Sequence, residues 1–549
     1  MTDETRVEWR AWGADAFAEA QSADEPILLS LTATWCSDCH EMDAETYAEP
    51  RIAANINDDF VPIRVDVDRH PRIRERYNMG GFPSTVFLTP DGRPMTGTTF
   101  VRPDGMRQVI ERVREVWEKK GSDAGRMPRA LAGDLPPGGE LSDRIEEHLA
   151  GQLEVTFDEK HGGWGDAQKF PLPRTIEFAL KRDQQRALRS LDAVRDGLFD
   201  PVEGGFFRYA DDRSWTNPHR EKTLESNAAL VRAFANGYRY TGDSAYRDPA
   251  VETAHFLVES LWSGTGFGGS MGPAAGTDYY LLGSEGREES PGPRTDFTVY
   301  AGGNALAVDA LLVLAGLTDD ETARKYADRA LHRIGEDLVD DGVVTHFQSG
   351  GESGESLLLE DHARVVAAAC RARQVLGTDG VAGESYLDFA TSVADAAIDE
   401  LFDDGSFRDG PATGDGLLSH PLRPLDGNVE MANALVDLAI LTGEDRFRDV
   451  AEETMAAFAG AWDRIGVQVA EYGAVAARLL RDPLVVEIGG DVGTDLHRAA
   501  LRVADHEALV VPDADVEDGT ARVSLGDTNR EATTPDELMR AVSSVTPDA

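Results

Sequence analysis

Two of the chain's three cysteines lie in the stretch Thr34-Trp35-Cys36-Ser37-Asp38-Cys39-His40, which directly follows the apolar run Ile27-Leu28-Leu29-Ser30-Leu31. The pattern predicts a strand that leads into a helix beginning at a Cys-x-x-Cys sequence. Unpaired backbone N–H groups and the helix dipole favour a thiolate at such a helix start. The pair is therefore suited to thiol chemistry.

The same cysteines have two simpler interpretations, half of a zinc site or a pair of small core residues. A zinc site needs about four ligands. His40 is the obvious local helper, whereas the third cysteine, Cys370, lies in a distant helical run. We therefore favour redox chemistry and predict no metal site.

The residues after the motif alternate between strand and helix patterns. Val61 to Asp66 indicates a second strand, Gly80 to Leu88 contains a Phe-Pro step before a third strand, and Thr89-Pro90-Asp91-Gly92-Arg93 predicts a hairpin turn. The order strand, CxxC helix, strand, helix, Phe-Pro, hairpin, helix resembles thioredoxin from about residue 6 to residue 120. We therefore expect a thioredoxin-like domain at residues 1–120.

The resemblance to thioredoxin implies roles for three residues. Cys36, nearer the helix start and more exposed, is expected to attack a disulfide, and Cys39 to resolve the mixed disulfide. Pro83 is expected to be a cis-proline that faces the pair, with a trans-proline opening a strand as the alternative. The expected redox group is a Cys36–Cys39 disulfide without a further cofactor, and the expected partner is a protein disulfide or a reductase.

Two departures from thioredoxin leave the direction of the reaction open. Ser30 stands where thioredoxins usually carry a buried aspartate that helps to deprotonate the resolving thiol, and Ser37-Asp38 replaces their Gly-Pro. The charge of Asp38 opposes thiolate formation, whereas a protonated His40 favours it.

The composition is strongly acidic, with a formal net charge of -45 and 7 lysines against 47 arginines. This is the pattern of cytoplasmic proteins from salt-accumulating halophiles, where salt screens the repulsion. The acids are spread along the chain and 41% of residues are hydrophobic, which argues against a disordered acidic chain. We expect a cytoplasmic, halophilic protein without a nucleic-acid partner. We also expect no membrane partner, because no segment reads as a bilayer span and Met1-Thr2-Asp3-Glu4 does not resemble a signal peptide.

A second domain is predicted at residues 141–482, after a linker at residues 121–140. Apolar residues recur there at helical spacing in some twelve blocks, joined by short and long connectors in alternation. If successive helices are antiparallel, every long connector falls at the same end. This organisation predicts an (α/α)6 barrel with a binding cleft at that end. The long connectors lie near residues 157–172, 200–222, 263–299, 339–357 and 403–426.

Three long connectors share a weak repeat of Phe-Asp, a spacer, glycine and an aromatic residue, beginning at Phe157, Phe199 and Phe402. Aromatic rings beside acids and arginine are typical of a wall that stacks on a sugar ring. The alternative, which is favoured for any single copy, is a helix-to-helix turn with an anchoring ring.

Longer motifs resemble the spermatogenesis-associated protein 20 family across nearly the whole chain. They include Gly162 to Pro171, Gly204 to Ala210, Pro218-His219-Arg220-Glu221-Lys222, Leu359 to Ala363 and Leu425-Asp426-Gly427-Asn428. The resemblance implies a thioredoxin-like domain joined to a barrel similar to six-hairpin glycosidases and N-acylglucosamine 2-epimerases, in a haloarchaeal-type member. The closing segment of that family commonly carries another cysteine pair, which this chain lacks.

Residues 483–549 have a different pattern. Leu484 to Ile488, a helix from about Asp495 to Val503, and Ala508 to Pro512 predict a small β-α-β appendage. The loop Gly489 to Gly493 lacks the spacing of a phosphate-binding fingerprint and is interpreted as a plain turn.

Candidate cleft residues come from the long connectors and from the helices that follow them. A carboxylate and an imidazole that converge in a sugar-sized cleft are suited to general acid/base work. Each residue also has a structural alternative, such as an ion pair of Glu221 with Lys222 at a helix entry. The candidates are Trp164, Lys169, Arg208, His219, Glu221, Lys222, Asp361, His362 and Asp426.

Three functions are compatible with these patterns. The first is a thiol-disulfide oxidoreductase whose barrel has a carbohydrate-binding-like cleft, and we favour it. The second is a carbohydrate-active enzyme, a sugar epimerase, isomerase or glycosidase, with a redox-sensing thioredoxin-like module and a sugar-like ligand. The third is a non-catalytic binding or quality-control protein.

Overall fold

The structure is a computed structural model that describes residues 5–133, 135–273 and 279–546. Its N-terminal domain contains a mixed sheet in the order β2-β1-β3-β4, in which β1 is parallel to β2 and antiparallel to β3. The strands are β1 (Ile27–Thr32), β2 (Val61–Asp66), β3 (Ser84–Leu88) and β4 (Pro94–Thr98). The helices are α1 (Ala14–Ala23), α2 (Ser37–Met42), α3 (Pro50–Asp59), α4 (Pro71–Tyr77) and α5 (Pro103–Lys120).

The barrel consists of alternating outer and inner helices. The outer helices are α6 (Arg144–Val155), α8 (Gln184–Leu198), α10 (Ser244–Phe256), α13 (Glu321–Asp337), α15 (Tyr386–Leu401) and α17 (Asp445–Ala456). The inner helices are α7 (Pro173–Arg182), α9 (Leu224–Thr241), α12 (Ala301–Thr318), α14 (Leu359–Leu376), α16 (Leu425–Thr442) and α18 (Glu471–Leu480). Each inner helix packs against the next, and α18 returns to α7, so the six close a ring. The predicted (α/α)6 barrel is confirmed.

The connectors that lead into the inner helices are the long ones, so they gather at one end of the barrel as predicted. A short helix, α11 (Ser284–Glu288), lies in the longest of them. Short strands lie in this connector and in several of the others. These strands are β5 (Tyr209–Ala210), β6 (Pro218–His219), β7 (Lys222–Thr223), β8 (Ser270–Met271), β9 (Thr295–Asp296), β10 (Val339–Asp340), β11 (Val343–Val344), β12 (Gln348–Ser349), β13 (Glu352–Ser353), β14 (Gly380–Val381), β15 (Glu384–Ser385), β16 (Phe402–Asp403) and β17 (Ser406–Phe407), with β14 and β15 in a shorter connector.

The repeated connector motif is a structural device. In three connectors an asparagine in the first turn of the following inner helix holds the backbone of the hairpin's aromatic residue. Asn428, for example, accepts a hydrogen bond from Phe407 N at 2.7 Å and donates one to Phe407 O at 3.0 Å. Asn227 and Asn304 make the same pair of bonds to Phe206 and Phe267.

The thioredoxin-like domain covers the barrel end that carries the long connectors. Arg76 of α4 binds Asp409 of the barrel, with Nη1 and Oδ2 2.6 Å apart. The neighbouring Arg72 donates to the carbonyl oxygens of Pro411 at 2.7 Å and Leu418 at 2.8 Å. Both arginine side chains are buried, so the two domains share a packed junction.

The C-terminal unit is larger than the predicted β-α-β appendage, because a hairpin and a second helix complete it. Its elements are β18 (Val485–Ile488), α19 (Asp495–Leu501), β19 (Leu509–Val511), β20 (Ala521–Leu525), β21 (Thr528–Ala532) and α20 (Pro535–Val545). The sheet order is β19-β18-β20-β21, with β18 parallel to β19 and antiparallel to β20. This repeats the strand order and directions of the N-terminal sheet.

The C-terminal unit packs on the barrel end opposite the thioredoxin-like domain. Arg239, in the last turn of inner helix α9, donates to the carbonyl oxygens of Leu501 at 3.0 Å and Val503 at 3.1 Å. Gln374, near the end of α14, accepts a hydrogen bond from Val510 N at 3.1 Å. The barrel therefore separates the two sheets.

One inner helix corrects the expectation that no segment is apolar enough to span a bilayer. By length and composition alone, α12 passes such a test, and 89% of it is buried inside the protein. It forms part of the barrel's inner ring, which explains why it is apolar on every side.

Candidate functional site

Cys36 and Cys39 form a disulfide at the start of α2, with their Cα atoms 5.2 Å apart. Cys36 is the N-cap residue, and the backbone N–H of Cys39 points at its sulfur with N and Sγ 3.1 Å apart. The Phe82–Pro83 peptide bond is cis. Exposure differs little between the two cysteines, at 5% for Cys36 and 2% for Cys39. Cys36 is therefore the more exposed of the two, as expected, although both side chains are buried.

Barrel residues contact the chain next to the disulfide. The Arg208 guanidinium lies 4.1 Å from the centre of a Trp35 ring. On another side the backbone of Gly272 approaches so closely that a Cβ there would lie 3.2 Å from Thr34 O. The indole N–H of Trp35 donates to Asp68 Oδ2 at 2.8 Å.

A cavity of about 370 Å³ lies between Cys36 and the barrel. The thioredoxin-like domain and two barrel connectors form its walls, so the predicted redox centre and part of the predicted cleft are one site. Its lining residues are Trp35, Cys36, Ser37, Asp38, Asn78, Gly80, Gly81 and Phe82 from the first domain, and Gln168, Phe170, Arg208, Tyr209, His219 and Glu221 from the barrel.

Three stacked rings form the barrel wall of this cavity. The pairing of β5 with β6 places Tyr209 opposite His219, and their ring centres lie 4.1 Å apart. Phe170 stacks on the other side of Tyr209 at 4.7 Å. Burial, followed by the charges of Asp211 and Glu221, raises the pKa of Tyr209 to about 12, so its hydroxyl stays protonated at neutral pH.

Charged groups in the wall are paired with one another. His219 Nε2 lies 2.8 Å from Asp211 Oδ2, and its Nδ1 lies 3.9 Å from Glu221 Oε1. Glu221 is buried and also pairs with Arg208 at 3.4 Å. An imidazole between two carboxylates is suited to accept and return a proton beside the cavity.

Two of the predicted cleft residues are buried lysines that hold connectors together. Lys222 Nζ lies 2.7 Å from Asp200 Oδ2, and Arg287 binds the same carboxylate. Lys169 Nζ lies 2.6 Å from Gly165 O and 3.2 Å from Asp158 Oδ2. Burial lowers the pKa of both lysines. Neither residue lines the cavity at Cys36, which corrects that part of the prediction.

Trp164 and His362 are also structural. The indole of Trp164 donates to Leu153 O at 3.1 Å, and its ring is buried against Phe157. His362 accepts a hydrogen bond from Val344 N at 3.2 Å. It lies at the same position in its helix as Asn227, Asn304 and Asn428 in theirs. Burial lowers the pKa of His362. The rings of Phe206 and Phe407 are buried as well, so the expected sugar-stacking wall is not formed by the repeats.

Asp361 and Asp426 lie at a second, smaller cavity of about 130 Å³ at the domain junction, away from the disulfide. Asp361 Oδ2 pairs with His346 Nδ1 at 2.9 Å, and His346 Nε2 lies 2.8 Å from the backbone oxygen of Asp68 in the first domain. Burial opposes the charge on His346, but Asp361 outweighs it and raises the pKa of His346 to about 9.

The interior of the barrel is filled by ion pairs. Arg232 binds Glu177 at 2.7 Å and Asp309 at 2.6 Å, and Arg371 binds Asp309 at 2.9 Å. The cavity that remains there is about 70 Å³. Pockets for small organic ligands are usually about 300–1,000 Å³, a range that includes the cavity at Cys36 and excludes this one.

Sequence reasoning missed several residues of the site. Trp35, Phe170 and Tyr209 lie inside motifs already recognised, but no spacing rule shows that they face one cavity. His40, which was predicted to belong to the redox site, does not line this cavity. Among the described residues, no group of three or more His, Cys, Asp or Glu side chains is arranged to hold a metal ion.

Residues 1–135 match the family Thioredox_DsbH, described as a protein of unknown function, DUF255. The chain is also similar to spermatogenesis-associated protein 20. The human protein of that name is 32% identical over 295 residues, which are 46% of this chain and 37% of the relative. The match therefore spans little more than a third of the relative's length.

Two further similarities concern single domains. Thioredoxin-1 of Drosophila melanogaster is 33% identical over 70 residues, which are 13% of this chain and 63% of that protein. A solved structure of D-mannose isomerase is 12% identical with a TM-score of 0.47, covering 62% of this chain and 98% of that structure. The chain itself joins a thioredoxin-like domain to an (α/α)6 barrel.

Proposed function

We propose that this chain is a thiol-disulfide oxidoreductase whose substrate reaches Cys36 through the cavity between the two domains. The observation that carries the proposal is the Cys36–Cys39 disulfide at a helix start beside a cavity of about 370 Å³. The acidic composition favours a salt-rich cytoplasm as its compartment.

Cys36 is the sulfur that exchanges with substrate. It lines the cavity, and the N–H of Cys39 points at it. In the reduced protein this N–H and the start of α2 stabilise the Cys36 thiolate. Cys39 lies deeper and is placed to attack Cys36 rather than a substrate.

In the reducing direction, the Cys36 thiolate attacks one sulfur of a substrate disulfide. A mixed disulfide forms, and the other substrate sulfur leaves as a thiolate that takes a proton from solvent. The Cys39 thiol then gives its proton to solvent, and its thiolate attacks Cys36 Sγ and expels the remaining substrate sulfur as a thiolate. Two electrons pass from the cysteine pair to the substrate, and an external dithiol reverses both exchanges to restore the pair.

The barrel contributes the opposite wall of the reaction cavity. Arg208 fixes Trp35, the residue before Cys36, while the His219 imidazole provides a proton acceptor within the same cavity. The barrel residues that serve the reaction are therefore Arg208, His219 and Glu221, which belong to the candidate cleft set, together with Tyr209.

The test is to trap the mixed disulfide. We expect Cys39→Ser to accumulate a covalent adduct with a disulfide substrate on Cys36, because the resolving thiol is missing, and Cys36→Ser to form none. Intact mass and peptide mapping measure the adduct. Cys370→Ala is the matched control, because Cys370 is buried in α14 and burial raises the pKa of its thiol. An adduct that forms equally in Cys36→Ser, or in none of the variants, contradicts the proposal.

A further inference from the structure

We infer that the substrates of this site are small-molecule thiols and disulfides, and that folded proteins are excluded by the barrel. The inference rests on the proposed oxidoreductase function and adds its substrate class. It follows from the way in which barrel residues cover the side of the thioredoxin-like domain that carries the disulfide.

The first step is the burial of the residues next to the disulfide. Trp35 is 6% exposed and Cys36 is 5% exposed, although both lie at the tip of a loop between β1 and α2. Arg208 covers the indole of Trp35, and the backbone of Gly272 packs against Thr34. A folded protein that approached Cys36 would meet these barrel residues before its disulfide reached the sulfur.

The second step is the size of the space that remains. The cavity beside Cys36 has a volume of about 370 Å³. It is near the lower end of the range of about 300–1,000 Å³ for small-molecule pockets. A small organic disulfide fits in this volume, whereas a protein surface does not.

The third step is that the covering domain is held in place by buried groups. Arg76 and Asp409 form an ion pair of 2.6 Å across the junction, with the arginine side chain fully buried. His346 bridges Asp361 of the barrel and the backbone of Asp68. Separating the domains leaves such buried charges unpaired, which is strongly unfavourable. The cavity therefore keeps its size during exchange.

The nature of the wall agrees with a small organic ligand. Phe170, 44% exposed, presents an apolar ring to the cavity at the edge of the stack with Tyr209 and His219. Arg208 is already paired with Glu221, so its charge is balanced within the wall. Apolar contact and a few polar groups are the usual means of orienting a small substrate.

The experiment compares disulfides of different size on the full chain. The protein is reduced with dithiothreitol, desalted and mixed with hydroxyethyl disulfide, oxidised glutathione or insulin, and the re-formation of the Cys36–Cys39 disulfide is followed by alkylation and mass. Each rate is divided by the rate of free dithiothreitol with the same substrate, which corrects for the intrinsic reactivity of each disulfide. We expect the normalised rate for insulin to be at least about 100-fold below that for hydroxyethyl disulfide, because exchange depends on access.

Two variants examine the barrel wall directly. Arg208→Ala and Phe170→Ala should each raise the normalised insulin rate several-fold, whereas Arg195→Ala, a surface change on outer helix α8, should leave it unchanged. Normalised rates within about threefold of one another for insulin and hydroxyethyl disulfide overturn the size limit while leaving the oxidoreductase proposal intact. An insulin rate that neither wall variant changes also overturns it. No re-formation of the disulfide with any substrate overturns the proposed function itself.

Discussion

His346 makes the junction between the two domains sensitive to pH. Its imidazolium donates to Asp361 Oδ2 at 2.9 Å and to the backbone oxygen of Asp68 at 2.8 Å, so one charged ring bridges the barrel and the thioredoxin-like domain. Glu360, His70 and the rings of Tyr300 and Phe347 also lie around it. We predict that His346→Gln weakens the junction mainly below pH 9.

The magnitude follows from the pKa of His346, which is about 9 in the fold against 6.5 for the ordinary side chain. At about 1.4 kcal/mol for each pH unit, this difference corresponds to roughly 3 kcal/mol of stability. Because the folded pKa is the higher one, the contribution is complete below pH 6.5, falls as the pH rises and is lost above about pH 9.

Urea unfolding of the full chain at constant salt, measured between pH 6 and pH 10, tests this prediction. The difference in unfolding free energy between the natural chain and His346→Gln should shrink as the pH rises. Subtracting the variant removes the effects of the raised carboxyl pKa values of Asp66 and Asp68, which both proteins share. His332→Gln, on outer helix α13, is the matched control. A difference that stays constant from pH 6 to pH 10 would refute the role of the His346 charge.

Three further substitutions test other parts of the structure. Asn428→Ala should lower the unfolding free energy by roughly 2–4 kcal/mol, because the buried N–H and C=O of Phe407 lose their partner. A loss below about 1 kcal/mol would contradict the role of Asn428 in holding the backbone of Phe407. Lys222→Met should cost roughly 3–5 kcal/mol, because Asp200 and Glu203 are then left with the single positive charge of Arg287. Exchange per folded molecule should be unchanged, and a loss of exchange would show that the lysine serves the reaction. Asp409→Asn should speed the oxidation of the reduced protein by insulin, because Arg76 loses its charged partner across the junction. An unchanged rate would show that this ion pair does not control the access of insulin to Cys36.

Local patterns predicted the thioredoxin-like domain and the barrel well. The strand before Cys36 and the Phe-Pro step occupy the expected places, because hydrophobic periodicity and turn residues act over short distances. The alternation of short and long connectors was sufficient to place the long ones at one end of the barrel. The C-terminal unit was predicted only up to β19, since the polar strand β21 lacks an apolar pattern.

The candidate cleft was predicted less well, because sequence spacing does not show which way each side chain points. In the run from Pro218 to Lys222, alternate residues of an extended chain face opposite sides. His219 and Glu221 accordingly face the cavity, whereas Lys222 points into the core.

Sequence patterns also did not predict the contacts between the domains. Arg208 and Trp35 meet although they are far apart in the chain, and no periodicity records that contact. The aromatic repeats could not decide the function, because a ring that anchors a turn and a ring that stacks on a ligand have the same sequence pattern. The alternative of a helix-to-helix turn was the correct interpretation of the copies at Phe206 and Phe407.

The two similar sheets lie at opposite ends of the barrel, and the distance between them limits direct sulfur exchange within the chain. Inner helix α9 has 18 residues, so at about 1.5 Å per residue it is roughly 27 Å long, and the two sheets lie at its opposite ends. Direct sulfur exchange requires Cα atoms within about 7 Å of each other. Under the proposed function, a thiol pair on the far sheet would be out of range of Cys36, so the Cys36–Cys39 pair is reduced again by molecules that diffuse to it.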